Sequence, residues 1–453
     1  MIFTRIATRR IRKYDAKVGG MVIPGQEERF RGKMQRQVDL ENMVRQIIGF
    51  DINRVYYIIF AKELNKMMEK HKGSTLTDEA DIMQSKWYNR GLDNDKLNEI
   101  KDAMNLPEWT PPAPPEPWYN NSWNYRKKIT IQHTKVYGTQ TNFPVLVSIA
   151  TDADFAAHAK ADGSDFVFTS EDKVSKLKRE LEYYNNANGN IIIWVKVDSI
   201  NDATDVDIYL YYGNGAAAEG NDTETWDTNY KLVCHMTDET TDKVFDSSQF
   251  NHDGTKIGAN EPIESSGEIY KSQDHDGAND YINFGHPADF DITAKITLQA
   301  WIRSDTWAVD DSEIAAKTKG GAEKWMFECQ MNTGKIRFRL RTAADANIFD
   351  YSTTNGISTS VWHHIVCTYD GANAYTYVDG VQDGTAAAVG TIGTTDADFC
   401  SGAISKAARW FDGKIDEIRI SDTNRSENWV KTEQKNQSDP SAFIDVGAEE
   451  NKP

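Results

Sequence analysis

The chain has 453 residues, 39% hydrophobic and 26% charged, with a formal net charge of −18; this excludes global disorder, and the length exceeds what one hydrophobic core usually serves. The acidic balance also excludes wholesale binding to a nucleic-acid backbone, which needs clustered cations. The charge is divided unevenly: residues 1–106 carry 20 basic and 15 acidic side chains, a net of +5, which leaves 31 minus 54, or −23, for residues 107–453.

Residues 1–36 hold ten Lys or Arg against three acids and show no sustained period, the pattern of a basic arm that orders against a partner. The N-terminus has no apolar run of secretory length, so no signal peptide is expected, and the apolar run from Val55 to Ala61 is too short to span a bilayer. Residues 37–106 read as a helical anchor module. Leu40, Met43, Val44, Ile47 and Ile48 begin a three-and-four repeat that predicts a helix over Val38 to His71. A second helix starts near Thr75 to Thr77 and stops before Gly91, and a third runs from a cap at Asp93 to about Met104. Six of the 12 prolines fall in residues 107–117, a stiff linker.

From Trp118 onward the texture changes to short alternating runs broken by Gly, Asn and Asp, including Ile191-Ile-Ile-Trp-Val, Ile296 to Ile302, Lys335 to Leu340 and Lys414 to Ile420. The expected fold class is mainly β: two antiparallel β-sandwich or jelly-roll domains, at 118–216 and 230–447, after the small helical N-terminal module and Pro-rich linker, with 448–453 as a tail. Helix signals are scarce between 230 and 447. Cys234, Cys329, Cys367 and Cys400 show no C-x-x-C spacing and read as small buried residues.

Two segments carry family resemblances. Trp118-Tyr-Asn-Asn-Ser-Trp, Asn142-Phe-Pro-Val-Leu-Val, Glu180-Leu-Glu-Tyr and Ile208-Tyr-Leu-Tyr-Tyr-Gly-Asn-Gly resemble an uncharacterised β-sandwich family frequently placed before a laminin-G-like domain. Asp246-Ser-Ser, Asp276-Gly-Ala-Asn-Asp, Ile296-Thr-Leu-Gln-Ala-Trp-Ile, Val361-Trp-His-His-Ile-Val, Tyr377-Val-Asp-Gly and Phe411-Asp-Gly-Lys-Ile-Asp-Glu resemble the laminin-G-like, concanavalin A-type jelly roll. That resemblance implies glycan or protein binding and a structural calcium ion. Asp246 and Asp416 match positions that face the ion, with Asn251 or the His252 carbonyl completing an oxygen shell. The bland use of the same residues is a side-chain turn at Asp246 and a cation pair at Asp416.

Sugars offer an apolar face and hydroxyls, so their sites need exposed aromatic rings with amide or carboxylate partners. Trp307, Trp325 and Trp410 lie in or beside predicted loops and are the candidates, whereas Trp301 and Trp362 sit in strand motifs and read as core. Asp412 and Asp416, four apart, are the nearest imitation of a glycosidase carboxylate pair, but they fall in a closing hairpin that the resemblance makes non-catalytic, so no enzyme is expected. His363 and His364 fall on opposite strand faces and are not expected to share a metal.

Sugar-binding sandwiches joined to a basic module without export signal or membrane span fit a virion structural protein: a capsid decoration, spike or fibre of a tailed bacterial or archaeal virus. Its expected partners are capsid or tail proteins through residues 1–106 and a host-surface glycan or protein through the sandwiches, in a homo-oligomer, with no nucleic acid. The alternatives are a cellular surface adhesin or carbohydrate-binding protein, and a glycan-active hydrolase.

Overall fold

The computed structural model describes residues 116–453 apart from 259–260, 308–311, 319–324, 331–333 and 405–408, with Trp325–Gln330 described by backbone alone. The basic arm, the three expected helices and most of the Pro-rich linker lie outside the described residues. Residues 117–453 form one compact unit.

The first sandwich begins with β1 (Tyr125–Ile131), β2 (Gln140–Ile149), α1 (Ala153–His158), β3 (Val167–Thr169), β4 (Lys178–Asn185), β5 (Asn190–Ile200) and β6 (Val206–Tyr212). The second contains β7 (Tyr230–Cys234), β8 (Asp238–Thr240), β9 (Lys243–Val244), β10 (Gly254–Ile257), β11 (Ile263–Ser266), β12 (Lys271–Asp276), β13 (Tyr281–Asn283) and β14 (Ile296–Ser304). It continues through β15 (Ser312–Lys317), β16 (Trp325–Gln330), β17 (Lys335–Arg341), β18 (Asn347–Ser352), β19 (His363–Tyr369), β20 (Asn373–Val378), β21 (Val381–Ala387), β22 (Phe399–Ser401) and β23 (Asp412–Ser421). The chain ends with α2 (Glu427–Ser438), α3 (Pro440–Phe443) and β24 (Ile444–Asn451). The fold is mainly antiparallel β, as the alternating runs predict.

In the first sandwich a four-stranded sheet, β24-β1-β6-β3, packs on a three-stranded one, β2-β5-β4, around Ile129, Ile131, Val145, Val147, Ile193, Val195, Ile208 and Leu210. In the second, a nine-stranded sheet (β18-β17-β16-β15-β22-β13-β10-β9-β8) packs on an eight-stranded one (β11-β12-β23-β14-β19-β20-β21, with β7 on β23) around Leu298, Ile302, Ile314, Phe338, Ile365, Phe399 and Ile420.

Two expectations are corrected here. Residues 444–451 are neither the end of the second domain nor a tail: β24 returns to pair with β1, from Ile444 opposite Ile131 to Asn451 opposite Tyr125. Burial of Ile444 in the first core, the Arg126–Glu450 ion pair (2.6 Å) and the His158–Glu449 hydrogen bond (2.7 Å) hold it there. The region also contains a twelve-residue helix, α2, capped by Ser426, whose hydroxyl accepts from the Trp429 N–H. Its sequence has few apolar residues because its neighbours are polar. Gln299 donates to Glu433 and Trp301 to Gln437 on the second sandwich, while Asn436 exchanges two hydrogen bonds with the Leu146 backbone of the first. Trp301 is therefore buried under α2 rather than in the sandwich core, and Trp362 is half-buried. Cys234, Cys367 and Cys400 are buried.

His275, on β12, lies against Gly402, whose φ is +84° and where a Cβ would come within 2.3 Å of the imidazole. Burial lowers the His275 pKa from 6.5 to about 4. The folded chain thus refuses a proton that the unfolded chain takes near 6.5, so stability present at neutral pH drains as pH falls from there toward 4, by about 3 kcal/mol. Urea titrations of His275→Gln should show a flatter acid slope than the parent. A chain ending at Phe443 should melt earlier and self-associate through the exposed β1 edge, as read by calorimetry and light scattering.

Candidate functional site

The two sandwiches meet over a buried polar junction. On the first side, β5 carries an unbroken apolar run, so both of its faces are covered: Ile191, Ile193 and Val195 alternate with Ile192 and Trp194. Glu180 pairs in register with Trp194 and so shares its face. The Trp194 indole donates to Glu182 Oε2 at 2.8 Å, and the Trp226 indole donates to Glu180 Oε2 at 2.6 Å.

On the second side, β7 points Leu232 and Cys234 into its own core, which leaves Val233 and the next outward position, His235, facing the first sandwich. In β23 a bulge sets Glu417 and Ile418 opposite the single residue Ala300, because Arg419 pairs with Gln299 and Asp416 with Trp301. Glu417 takes the left-handed conformation, φ +51°, strain of roughly 1–3 kcal/mol for a non-glycine residue. The bulge brings the Asp416, Glu417 and Arg419 side chains together at the junction.

Arg419 is 1% exposed and its guanidinium lies against both the Trp194 and Trp226 rings, 4.4 and 4.6 Å from centroids that are themselves 5.3 Å apart. Its guanidinium donates to Glu417 Oε2 through Nε at 3.1 Å and through Nη2, and to Glu433 Oε1 on α2 at 2.9 Å. His235 Nδ1 meets Glu417 Oε1 at 2.5 Å and lies 3.6 Å from Glu182 Oε2. Its Nε2 is 3.5 Å from Glu180 Oε2.

Five carboxylates share this space with two cationic side chains, and their protonation reflects it. Burial raises Glu182 to about 7 against the pull of His235. Burial and then the Glu417 charge push Asp416 well above the carboxylate range. Burial opposes the charged form of His235, yet Glu417, Glu182 and Glu180 hold it above its ordinary value. Glu417 stays below its ordinary value despite burial because His235 and Arg419 flank it.

The outward face of the nine-stranded sheet is a second polar surface. Register sets Asn283 beside Cys400, and Cys400 beside Ala316, on the face opposite the Phe399 and Ala315 core. Tyr281 and Trp410 pack with centroids 5.8 Å apart, and Arg409 donates to Glu313 at 3.0 Å. Further along, Arg337 makes a two-point contact with Asp350, at 2.7 and 2.9 Å.

Residues 276–431 match the concanavalin A-like lectin/glucanases superfamily. The second sandwich is a concanavalin A-like domain. Residues 162–252 match a domain of unknown function (DUF2341), which covers much of the first sandwich and runs into the second. No curated protein matches the chain by sequence. Among solved structures, each aligned over 46% of this chain, is the binding domain of Paraclostridial Mosquitocidal Protein 1 (14% identity, 52% of that chain, TM-score 0.39). Another is domain 4 of AbnA, a GH43 extracellular arabinanase from Geobacillus stearothermophilus in complex with arabinotriose (19%, 99% of that chain, 0.36). A third is the botulinum neurotoxin type G receptor binding domain (17%, 52% of that chain, 0.36). The chain spans about half the length of the two toxin domains.

Within the concanavalin A-like domain the sequence-derived candidates separate. Trp307 is half-buried against the sandwich core and crowds Gly334. Trp410 is half-buried with Tyr281 on the outward face. Trp325 opens β16 opposite Lys317 and Leu340, its side chain outside the described residues. Asp246 and Asp416, two of the expected calcium ligands, have separate hydrogen-bond partners. Asp246 Oδ1 accepts from the Val233 and Ser248 amides, and Oδ2 accepts from the Ser248 hydroxyl and the His252 amide. Those four donors fill the acceptor sites of a carboxylate. The turn they fold sends Ser247 to donate to Glu180 Oε1 across the junction. Asn251 is exposed, and Asp416 is sealed in, accepting from the Ile269 amide beneath Gly267.

Arg419→Ala should destabilise the protein by about 3–5 kcal/mol, because it leaves Glu417 and Glu433 buried without their cation. Arg419→Lys should recover only part of that, since lysine has neither the fork nor the planar group that lies against the two indoles. Urea unfolding of both variants tests this; full recovery by lysine would show that charge alone matters.

Proposed function

We propose that the protein is a carbohydrate-binding structural protein of a virion, a capsid decoration, spike or fibre, displayed on the particle surface and anchored to capsid or tail proteins by residues 1–106. The observation that carries the binding half is the Tyr281–Trp410 pair beside Arg409 and Glu313 on the outward face of the concanavalin A-like domain. Aromatic rings for sugar C–H faces next to the partly exposed Arg409 guanidinium, held by the buried Glu313, offer chemistry that suits a saccharide. The lectin/glucanase family match supports the same reading.

Binding is favoured over hydrolysis by the position of Asp412 and Asp416, the nearest imitation of a glycosidase carboxylate pair, in the closing hairpin. Asp412 lies at the partly open start of β23, while Asp416 is fully buried at the junction, out of reach of a polysaccharide. The virion half is supported by the division of charge into +5 before residue 107 and 31 minus 54, or −23, after it, which suits docking at one end and solubility at the other. Among the described residues no helix is long and apolar enough to cross a membrane.

Trp410→Ala should weaken binding to a host-surface glycan by about tenfold or more without shifting the melting temperature, whereas Trp410→Phe should keep most of it. Isothermal titration against glycans selected on an array measures this, and equal affinities for all three proteins would remove the outward face from consideration. For the anchor, a chain lacking residues 1–106 should be absent from purified particles that incorporate the full chain.

A further inference from the structure

The geometry points to a structural metal site at the junction between the sandwiches, in which Glu182, His235 and Glu417 bind a divalent first-row transition ion. One candidate ligand atom from each of the three residues lies within 4.8 Å of the others, and this is the group among the described residues that converges in this way. One imidazole nitrogen with two carboxylate oxygens suits Zn2+ and its neighbours in the series.

Two buried atoms without partners point the same way. Glu182 Oε2 is held by the Trp194 indole, which leaves Oε1 buried and unsatisfied. His235 is 5% exposed, and its Nε2 is also without a hydrogen bond, 3.5 Å from Glu180 Oε2. With Nδ1 on a metal, the proton is fixed on Nε2 and directed at Glu180, the carboxylate-to-imidazole arrangement that orients metal-bound histidines. Glu180 is itself fixed by Trp226 and Ser247.

The remaining surroundings match an outer shell. Glu417 turns Oε1 to His235 and Oε2 to Arg419, so it can bridge an ion and the guanidinium. Its left-handed bulge position aims it there. Each sandwich contributes a ligand, Glu182 from the first and His235 and Glu417 from the second, so the ion would cross-link them. The site is closed and therefore loads as the chain folds.

The test is to unfold the full-length protein in urea with EDTA, then refold it with Zn2+ or with chelator alone. Elemental analysis after gel filtration should find about one zinc per chain, and the zinc form should melt several degrees above the chelated form. Glu182→Gln, close in shape to the parent, should fold by circular dichroism yet lose both the bound zinc and the melting shift. His235→Gln should do the same. The proposal is overturned if no zinc is retained and neither Zn2+ nor Mn2+ changes the melting temperature, which would leave protons holding the cluster. Equal zinc retention by parent and Glu182→Gln would overturn it as well, by placing the ion elsewhere.

Discussion

Arg419 must remain charged where no water reaches it, and much of the described unit is arranged to satisfy that requirement. Two tryptophans of the first sandwich lie against it, a glutamate two residues away on its own strand takes one side of the fork, and a glutamate of α2 takes another. Three separately folded elements thereby converge on one guanidinium. A buried ion pair is weak evidence of stability, because desolvation offsets much of the Coulomb gain. Its effect here is selectivity: any displacement of one sandwich relative to the other strands a charge.

The helix α2 serves the same end with uncharged groups. Asn436 exchanges hydrogen bonds with the Leu146 backbone in the manner of a strand neighbour, and Gln299 and Trp301 reach the helix from the other sandwich. A neighbouring pair, Arg425 with Asp227, repeats the theme, with the guanidinium 4.3 Å from both the Tyr230 and Trp429 ring centroids. Each of these contacts is directional, so the junction resists rotation better than an apolar interface of equal area would.

Fold class was legible because strand periodicity and turn residues are local properties. The Ile296 to Ile302 and Lys414 to Ile420 runs become β14 and β23, and the Ile191 run becomes β5. The missed elements are those defined by distant partners. A helix such as α2, whose buried residues include Thr432, Glu433, Gln434, Asn436 and Gln437, shows no apolar stripe for a periodicity argument to find. β24 reads as a tail because its pairing partner lies more than 300 positions earlier. The junction cluster left one trace, the carboxylates Glu180 and Glu182 two apart on β4. Asp246 and Asp416 were noticed as oxygen donors, but sequence could not show that backbone amides already occupy the first and that the second faces inward.

The return of β24 makes the concanavalin A-like domain an insertion between β6 and the last strand of the first sandwich. The segment entering at Trp118 and the segment leaving at Lys452 lie together, with Lys452 hydrogen-bonded to Asn121 and Asn124. This has a mechanical consequence. Tension applied from the N-terminal side while the inserted domain is held fixed enters through β1, which is hydrogen-bonded along both edges to β24 and β6. The β1–β24 ladder is then loaded in shear, because the inserted domain joins β24 at Ile444, the end far from Tyr125, and its bonds must yield together; β6 leaves toward the inserted domain from Tyr212, beside Tyr125, so the β1–β6 ladder is loaded at one end and peels.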